Sequence, residues 1–161
     1  MLLAILADTH LSQPGRLPER CLEAIAEADA VIHAGDVSTA PVLAEISRAA
    51  RRLHAVHGNV DSPELVGGLA AELTIGLDEV RLGVVHDAGP AKGRLRRLRD
   101  RFPDADAVVF GHSHMPLHEE DGGFQIFNPG SPTQRRRAPR HSFGRAVVEG
   151  SRIRFEHVFL G

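Results

Sequence analysis

The stretch Ala107-Val108-Val109-Phe110-Gly111-His112-Ser113-His114 decides how this chain is read. Four apolar residues give way at a glycine to two imidazoles spaced i and i+2, which in extended chain point to the same side. Taken alone, such a pair is commonly a surface feature; repetition gives it weight. Leu2 to Ala7 ends at Asp8-Thr9-His10, and Ala30 to Ala34 ends at Gly35-Asp36. Leu53 to Val56 leads into His57-Gly58-Asn59, and Val80 to Val85 ends at His86. Five strands are therefore expected to deliver Asp, Asn and His to one place.

The segments between these runs predict how the strands connect. Pro18 to Ala28 carries a helical stripe of Cys21, Leu22, Ile25 and Ala26. Ser38 or Thr39 can cap a second helix running to about Arg52, with Val42, Ile46 and Ala49 inward. Ser62-Pro63-Glu64 has the form of a third start, cut short by Gly67-Gly68. The order strand, helix, strand, helix, strand predicts right-handed crossovers and a parallel sheet. Ala71 to Ile75 and Val80 to Val85, joined by Gly76-Leu77-Asp78-Glu79, predict a hairpin and so a mixed sheet system. Gly93 to Phe102 reads as an amphipathic helix with Leu95, Leu98 and Phe102 inward and a solvated arginine face outward. Short strands are expected over Met115 to His118, Phe124 to Phe127, Phe143 to Val148 and Ile153 to Phe159, the last two joined at Glu149-Gly150-Ser151. Asn128-Pro129-Gly130-Ser131 reads as a rigid loop and Arg135 to Arg140 as a basic one. With no repeat, low-complexity tract or linker, one domain over residues 1–161 is expected.

Composition removes several classes of function. A net charge of −2 gives no signal for nucleic acid or a membrane surface. The one cysteine, Cys21, excludes an internal disulfide, suits a reducing cytoplasm, and reads as core packing. The first apolar run breaks at Asp8, too soon for a signal peptide or a span, so a soluble cytoplasmic protein is expected. Ten histidines stand against no Trp and no Tyr, and histidine is the commonest metal ligand.

Pooling the strand ends gives Asp8, His10, Asp36, Asn59, His86, His112 and His114. That set exceeds what one ion with an open position takes, and suits two. Two metals about 3.5–4 Å apart need a shared ligand, and Asp36, alone on its loop, is the expected bridge. Imidazole and oxygen donors without thiolate suit Mn²⁺ first, with Fe, Zn²⁺, Co²⁺ or Ni²⁺ also compatible. Two divalent cations less two carboxylates and a bridging hydroxide leave roughly +1, which favours an anionic phosphate ester attacked by that hydroxide. No serine or cysteine nucleophile is required, so Ser113 reads as a loop residue or donor. His33 reads as a packed, hydrogen-bonded histidine. His54, His118, His141 and His157 are expected bystanders, and Arg135, Arg136, Arg137 and Arg140 a solvated group.

The ordered set DTH, GD, GNVD, a lone His after an apolar strand, and GHSH, followed by NPGS, resembles the calcineurin-like metallophosphoesterase family. Within it, the chain is similar to the small single-domain phosphodiesterase branch from Asp8 to about Ser131. The resemblance implies an α/β fold, a four-layer αββα sandwich of two mixed β-sheets flanked by helices. It implies a first metal held by Asp8, His10, Asp36 and His114, and a second held by Asp36, Asn59, His86 and His112, with Asn59 also facing substrate. Two departures matter. Many members carry His where this chain has Val60, and that His is credited with helping at the leaving group. Val60 donates no proton, so weak activity on alkyl monoesters and better activity on diesters with a good leaving group is expected. Small-branch relatives often lack that His as well. Asp61, usually its partner, is left to orient water or a neighbouring group. Asp87 follows His86 where the family commonly has Gly. The expected protein is a metal-dependent phosphodiesterase acting on a small phosphodiester, with a homo-oligomer compatible. A phosphomonoesterase or nucleotidase, and a non-catalytic protein-interaction scaffold of the same fold, stand beside that reading.

Overall fold

Side-chain alternation along the strands determines the layering. The computed structural model describes residues 1–161. In chain order its elements are β1 (Leu2–Leu6), α1 (Glu19–Glu27), β2 (Ala30–His33), α2 (Ala40–Ala49), β3 (Leu53–Ala55), α3 (Pro63–Gly68), β4 (Glu72–Leu77), β5 (Val80–Val85), α4 (Arg94–Arg101), β6 (Ala107–Val109), β7 (Leu117–Asp121), β8 (Phe124–Asn128), β9 (Ser142–Glu149) and β10 (Arg152–Phe159). Strands β1, β2 and β3 pair in parallel, and β9 and β10 add antiparallel beyond β1. In the second sheet β5, β6 and β8 are parallel, with their hairpin partners β4 and β7 on the edges.

Successive side chains of β1 go to opposite faces. Leu3 and Ile5 join Ile32, Leu82, Val84, Val109 and Phe127 in the core between the sheets. Ala4 and Leu6 face the other way, onto Cys21 and Ile25 of α1 and Val42 and Ile46 of α2. Beyond the second sheet, Val108, Phe110 and Ile126 pack beneath Leu98 and Phe102 at α4. Three buried clusters thus separate four layers, an αββα sandwich of two mixed five-stranded sheets. Cys21 belongs to the helix-side cluster, and burial pushes its thiol up to about 12, which keeps it unreactive.

Several local expectations are corrected. Gly76 and Leu77 belong to β4, because Leu77 is fully buried and holds the strand to its end. The turn contracts to Asp78-Glu79, with Asp78 at φ +53° as a two-residue hairpin requires. The short α3 does end at the glycine pair, with Gly67 and Gly68 as its last two residues, and Ser62 opens it by accepting the Leu65 N–H at 3.4 Å. Thr39 holds the N-cap position of α2, but its hydroxyl bonds the Ser12 carbonyl, so the side-chain cap is not made. Met115 and Pro116 precede β7, since Pro116 has no N–H for the ladder. The α4 arginines are not simply solvated. Arg97 donates to the Ala88, Pro90 and Lys92 carbonyls, Arg99 bonds Asp121, and Arg101 bonds Glu72 at 2.7 Å. No helix is long and apolar enough to cross a membrane.

His33 ends β2 fully buried, its Nε2 3.2 Å from Thr9 Oγ1. Burial outweighs the pull of Asp61, Asp8 and Asp36 and pushes this imidazole down to about 4. Above pH about 6.5 it is neutral in both states and has no effect on stability. As pH falls from there to about 4 the unfolded chain takes a proton that the folded one refuses, and stability is lost. That loss is about 3 kcal/mol over the window. Denaturant titrations at pH 4.5 and 7.5 are expected to show a steeper acid decline for the parent than for His33→Gln. Parallel declines would show that His33 does not titrate this way.

Candidate metal centre

Because β1, β2 and β3 run parallel, as do β5 and β6, their carboxyl ends share one rim of the sandwich, where crevices form in such sheets. Backbone bonds close that rim: Asp8 N–H to the Gly35 carbonyl, His10 N–H to Asp36, and Gly111 N–H to His86, each at 3.0 Å. Asp8, His10, Asp36, His112 and His114 all take left-handed backbone, with φ between +44° and +68°. For residues with a Cβ this costs roughly 1–3 kcal/mol each and persists only where the surroundings enforce it. Glycines permit the close approach. A Cβ at Gly58 would stand 2.0 Å from Asp36 Oδ1, and one at Gly35 2.7 Å from His86 Nδ1.

The seven predicted residues come together in two overlapping groups. In the first, His10 Nε2 lies 3.8 Å and His114 Nε2 3.6 Å from Asp8 Oδ1, with the two rings 4.9 Å apart. In the second, Asn59 Oδ1 lies 3.0 Å from His86 Nε2 and 3.1 Å from His112 Nδ1, with those rings 5.2 Å apart. One oxygen joins them: Asp36 Oδ2 is 3.4 Å from His10 Nε2 and 3.1 Å from His86 Nε2. Asp8 and His114 sit deepest, while Asn59 is exposed and His112 half-exposed at the mouth.

Three buried polar atoms here have no hydrogen-bond partner: Asp8 Oδ2, His10 Nε2 and His114 Nε2. Unpaired buried groups are costly, and atoms of Asp8, His10 and His114 lie within 4.8 Å of one another, as do those of Asp8, Asp36 and His86. Carboxylate and imidazole donors so placed fit a divalent cation. Burial pushes the Asp36 carboxyl up, but the His86 hydrogen bond, the Val60 N–H and the charges of His86 and His10 together hold it below its ordinary value. Burial likewise pushes His86 down, and its bonds to Asp36 and Ala34 with the Asp36 and Asp8 charges outweigh that, raising it. For His114 burial prevails and its imidazole is pushed down, toward the neutral form a metal needs.

Supporting groups fix these side chains, among them Asp61, expected to orient water or a neighbouring group, and others that the sequence did not single out. Asp61 accepts from the N–H groups of Asp36, Ser38 and Gly58, so its carboxylate orients loop backbone. His86 Nδ1 bonds the Ala34 carbonyl at 2.8 Å across the two sheets. His114 Nδ1 bonds the Gln134 carbonyl, and Ser131 Oγ donates to the Asp8 carbonyl at 2.7 Å. Asn128 donates to the Gly111 carbonyl and to Ser113 Oγ, which holds the His112–His114 turn. NPGS, expected as a rigid loop after the GHSH stretch, supplies the Asn and Ser that anchor the centre. Away from the rim, His118 bonds Gln125 and His157 bonds the Asn128 carbonyl. His54 lies within β3, and His141 directly precedes β9.

The chain is similar to known proteins over most of its length. The family model of the calcineurin-like phosphoesterase superfamily domain matches residues 1–151. A probable metallophosphoesterase of Methanocaldococcus jannaschii, MJ0623, is 31% identical over 153 aligned positions, covering 92% of this chain and 77% of its own. Phosphodiesterase YfcE of Escherichia coli K12 is 30% identical over 151 aligned positions, covering 81% and 79%. The crystal structure of Vps29 from Entamoeba histolytica complexed with zinc superposes with a TM-score of 0.78 at 22% identity, over 99% of each chain.

Proposed function

Because the chain belongs to the calcineurin-like phosphoesterase superfamily, we propose that it is a cytoplasmic phosphodiesterase working with two divalent cations, manganese first among them. The observation that carries this reading is the position of Asp36 Oδ2, within 3.4 Å of one imidazole from each group. Asp8, His10 and His114 would hold one ion, Asn59, His86 and His112 the other, with Asp36 between. Bound there, divalent cations supply Lewis acidity that activates water at neutral pH and holds phosphoryl oxygens. The chain's own part is positional. Asn59 and His112, at the open side, face the incoming ester, and the fixed carboxylates prevent the donors from rearranging. YfcE, named a phosphodiesterase, supports the choice of diester. So does Val60, which is 47% exposed beside the centre and has no proton for a poor leaving group.

With manganese, bis-p-nitrophenyl phosphate is expected to be hydrolysed faster than p-nitrophenyl phosphate, and a chelator to remove both activities. Faster monoester turnover would move the protein to the monoesterase reading. A protein-docking role is the second reading, favoured by the exposure of Val60 and Met115 beside the centre. No turnover with manganese, zinc, cobalt, nickel or iron would favour it over catalysis.

A further inference from the structure

Resting on the phosphodiesterase reading, we propose that one arm of the diester lies in the cleft formed by His112, Ser113, Met115, Arg136 and Arg137, and that this arm carries a second phosphate bound by Arg136 and Arg137.

The cleft measures about 650 Å³ and begins at His112, the more open imidazole of the centre. That volume falls in the range of small-molecule sites and suits a nucleotide-sized arm. Met115, 40% exposed, gives it an apolar wall against which a flat ring can lie. The cations of the loop divide in two. Arg135 is tied to the Ala138 carbonyl, whereas Arg136 and Arg137 bond no protein group and stay exposed. That differs from α4, where Arg97, Arg99 and Arg101 all have protein partners.

This loop is not a free arm. Gln134 is bonded to His114, Ser131 to Asp8 and Thr133 to Thr9, so its root is fastened to the metal-binding turns. Arg136 itself takes left-handed backbone at φ +48°, a conformation that only surrounding structure sustains in a residue with a Cβ. Two unpaired guanidinium groups on a loop with a fastened root, beside an apolar wall, suit a phosphate, which they would engage through charge-assisted hydrogen bonds. The opposite flank is unsuited. The cleft by His57, Asn59, His86 and Asp87 is about 230 Å³, carries the Asp87 carboxylate, and its Arg101 is held by Glu72. The phosphorylated arm is thereby assigned to one side and the smaller leaving group to the other.

The test compares the p-nitrophenyl phosphodiester on the 5′-oxygen of thymidine with the same compound phosphorylated on its 3′-hydroxyl. The metal-loaded protein is expected to prefer the phosphorylated compound by about tenfold or more in kcat/KM, mainly through KM. In Arg136→Gln/Arg137→Gln that preference is expected to fall about tenfold. Equal kcat/KM for the two compounds in the parent, or an unchanged preference in the double variant, would overturn the proposal. If neither compound is hydrolysed with any metal, the phosphodiesterase reading itself fails, and calorimetry decides the cleft separately. Thymidine 3′,5′-bisphosphate should then bind the metal-loaded parent about tenfold more tightly than the 5′-monophosphate, an advantage lost in the double variant. Equal affinities would dismiss the arginine pair as a phosphate site.

Discussion

Asp36→Asn is expected to lower phosphodiester turnover on the order of a thousandfold or more, equivalent to about 4 kcal/mol of lost transition-state stabilisation. The same change should reduce bound manganese per chain while leaving the fold intact. The substitution is nearly isosteric, and the Val60 N–H, 3.0 Å from Oδ1, keeps an oxygen acceptor. What changes is the other atom. Oδ2 lies between His10 and His86, and an amide nitrogen there offers hydrogens where the proposed pair of cations would need electron pairs. With the charge of one carboxylate gone, the remaining acidic donor at the centre is Asp8. Elemental analysis after dialysis, circular dichroism and turnover on bis-p-nitrophenyl phosphate check the three parts together. Near-parental turnover and metal content would remove Asp36 from the bridging place proposed for it.

The centre was legible because each of its residues follows an apolar run within a few positions, and parallel strands bring their carboxyl ends to one rim. DTH, GD, GNVD, the lone histidine and GHSH all carry that signal. What the sequence conceals is whatever depends on the facing surface. Ser131 reaches the Asp8 carbonyl across a separation of 123 residues, and nothing in NPGS names its partner. The arginine pattern of α4 shows a charged face without showing that carbonyls, Asp121 and Glu72 meet it. The boundary of β4 was decided by burial of Leu77 against the other sheet, which outweighed the turn character of its neighbouring glycine. Left-handed backbone at Asp8, His10, Asp36, His112 and His114 was equally hidden, since glycine is the usual marker of that conformation. The strain gathers at the residues that would bind metal, which is where structure departs from local preference.

Asp61→Ala is expected to act by a different route from Asp36→Asn, on the fold first and on turnover through it. The Asp61 carboxylate accepts the Asp36 N–H at 3.1 Å and the Gly58 N–H at 2.6 Å on one oxygen, and the Ser38 N–H at 2.7 Å on the other. It thereby joins the loop after β2 to the loop after β3, the two that carry Asp36 and Asn59. Alanine leaves three N–H donors without their acceptor, each worth about 1–3 kcal/mol when stranded away from water. Allowing for water reaching the outermost, a loss of about 3–5 kcal/mol is expected, a fall in Tm on the order of 10 °C for a chain of this size. Asp61→Asn retains one acceptor oxygen and turns an amide toward the remaining donors, so its effect should lie between parent and alanine. Turnover should follow the same order, because loosening either loop moves Asp36 and Asn59 relative to the imidazoles. Thermal unfolding and kinetics on the three proteins test this together. If Asp61→Ala kept its Tm within a degree or two and still lost most of its turnover, the carboxylate would have to act on substrate or water directly, and the clamp assigned to it here would be wrong.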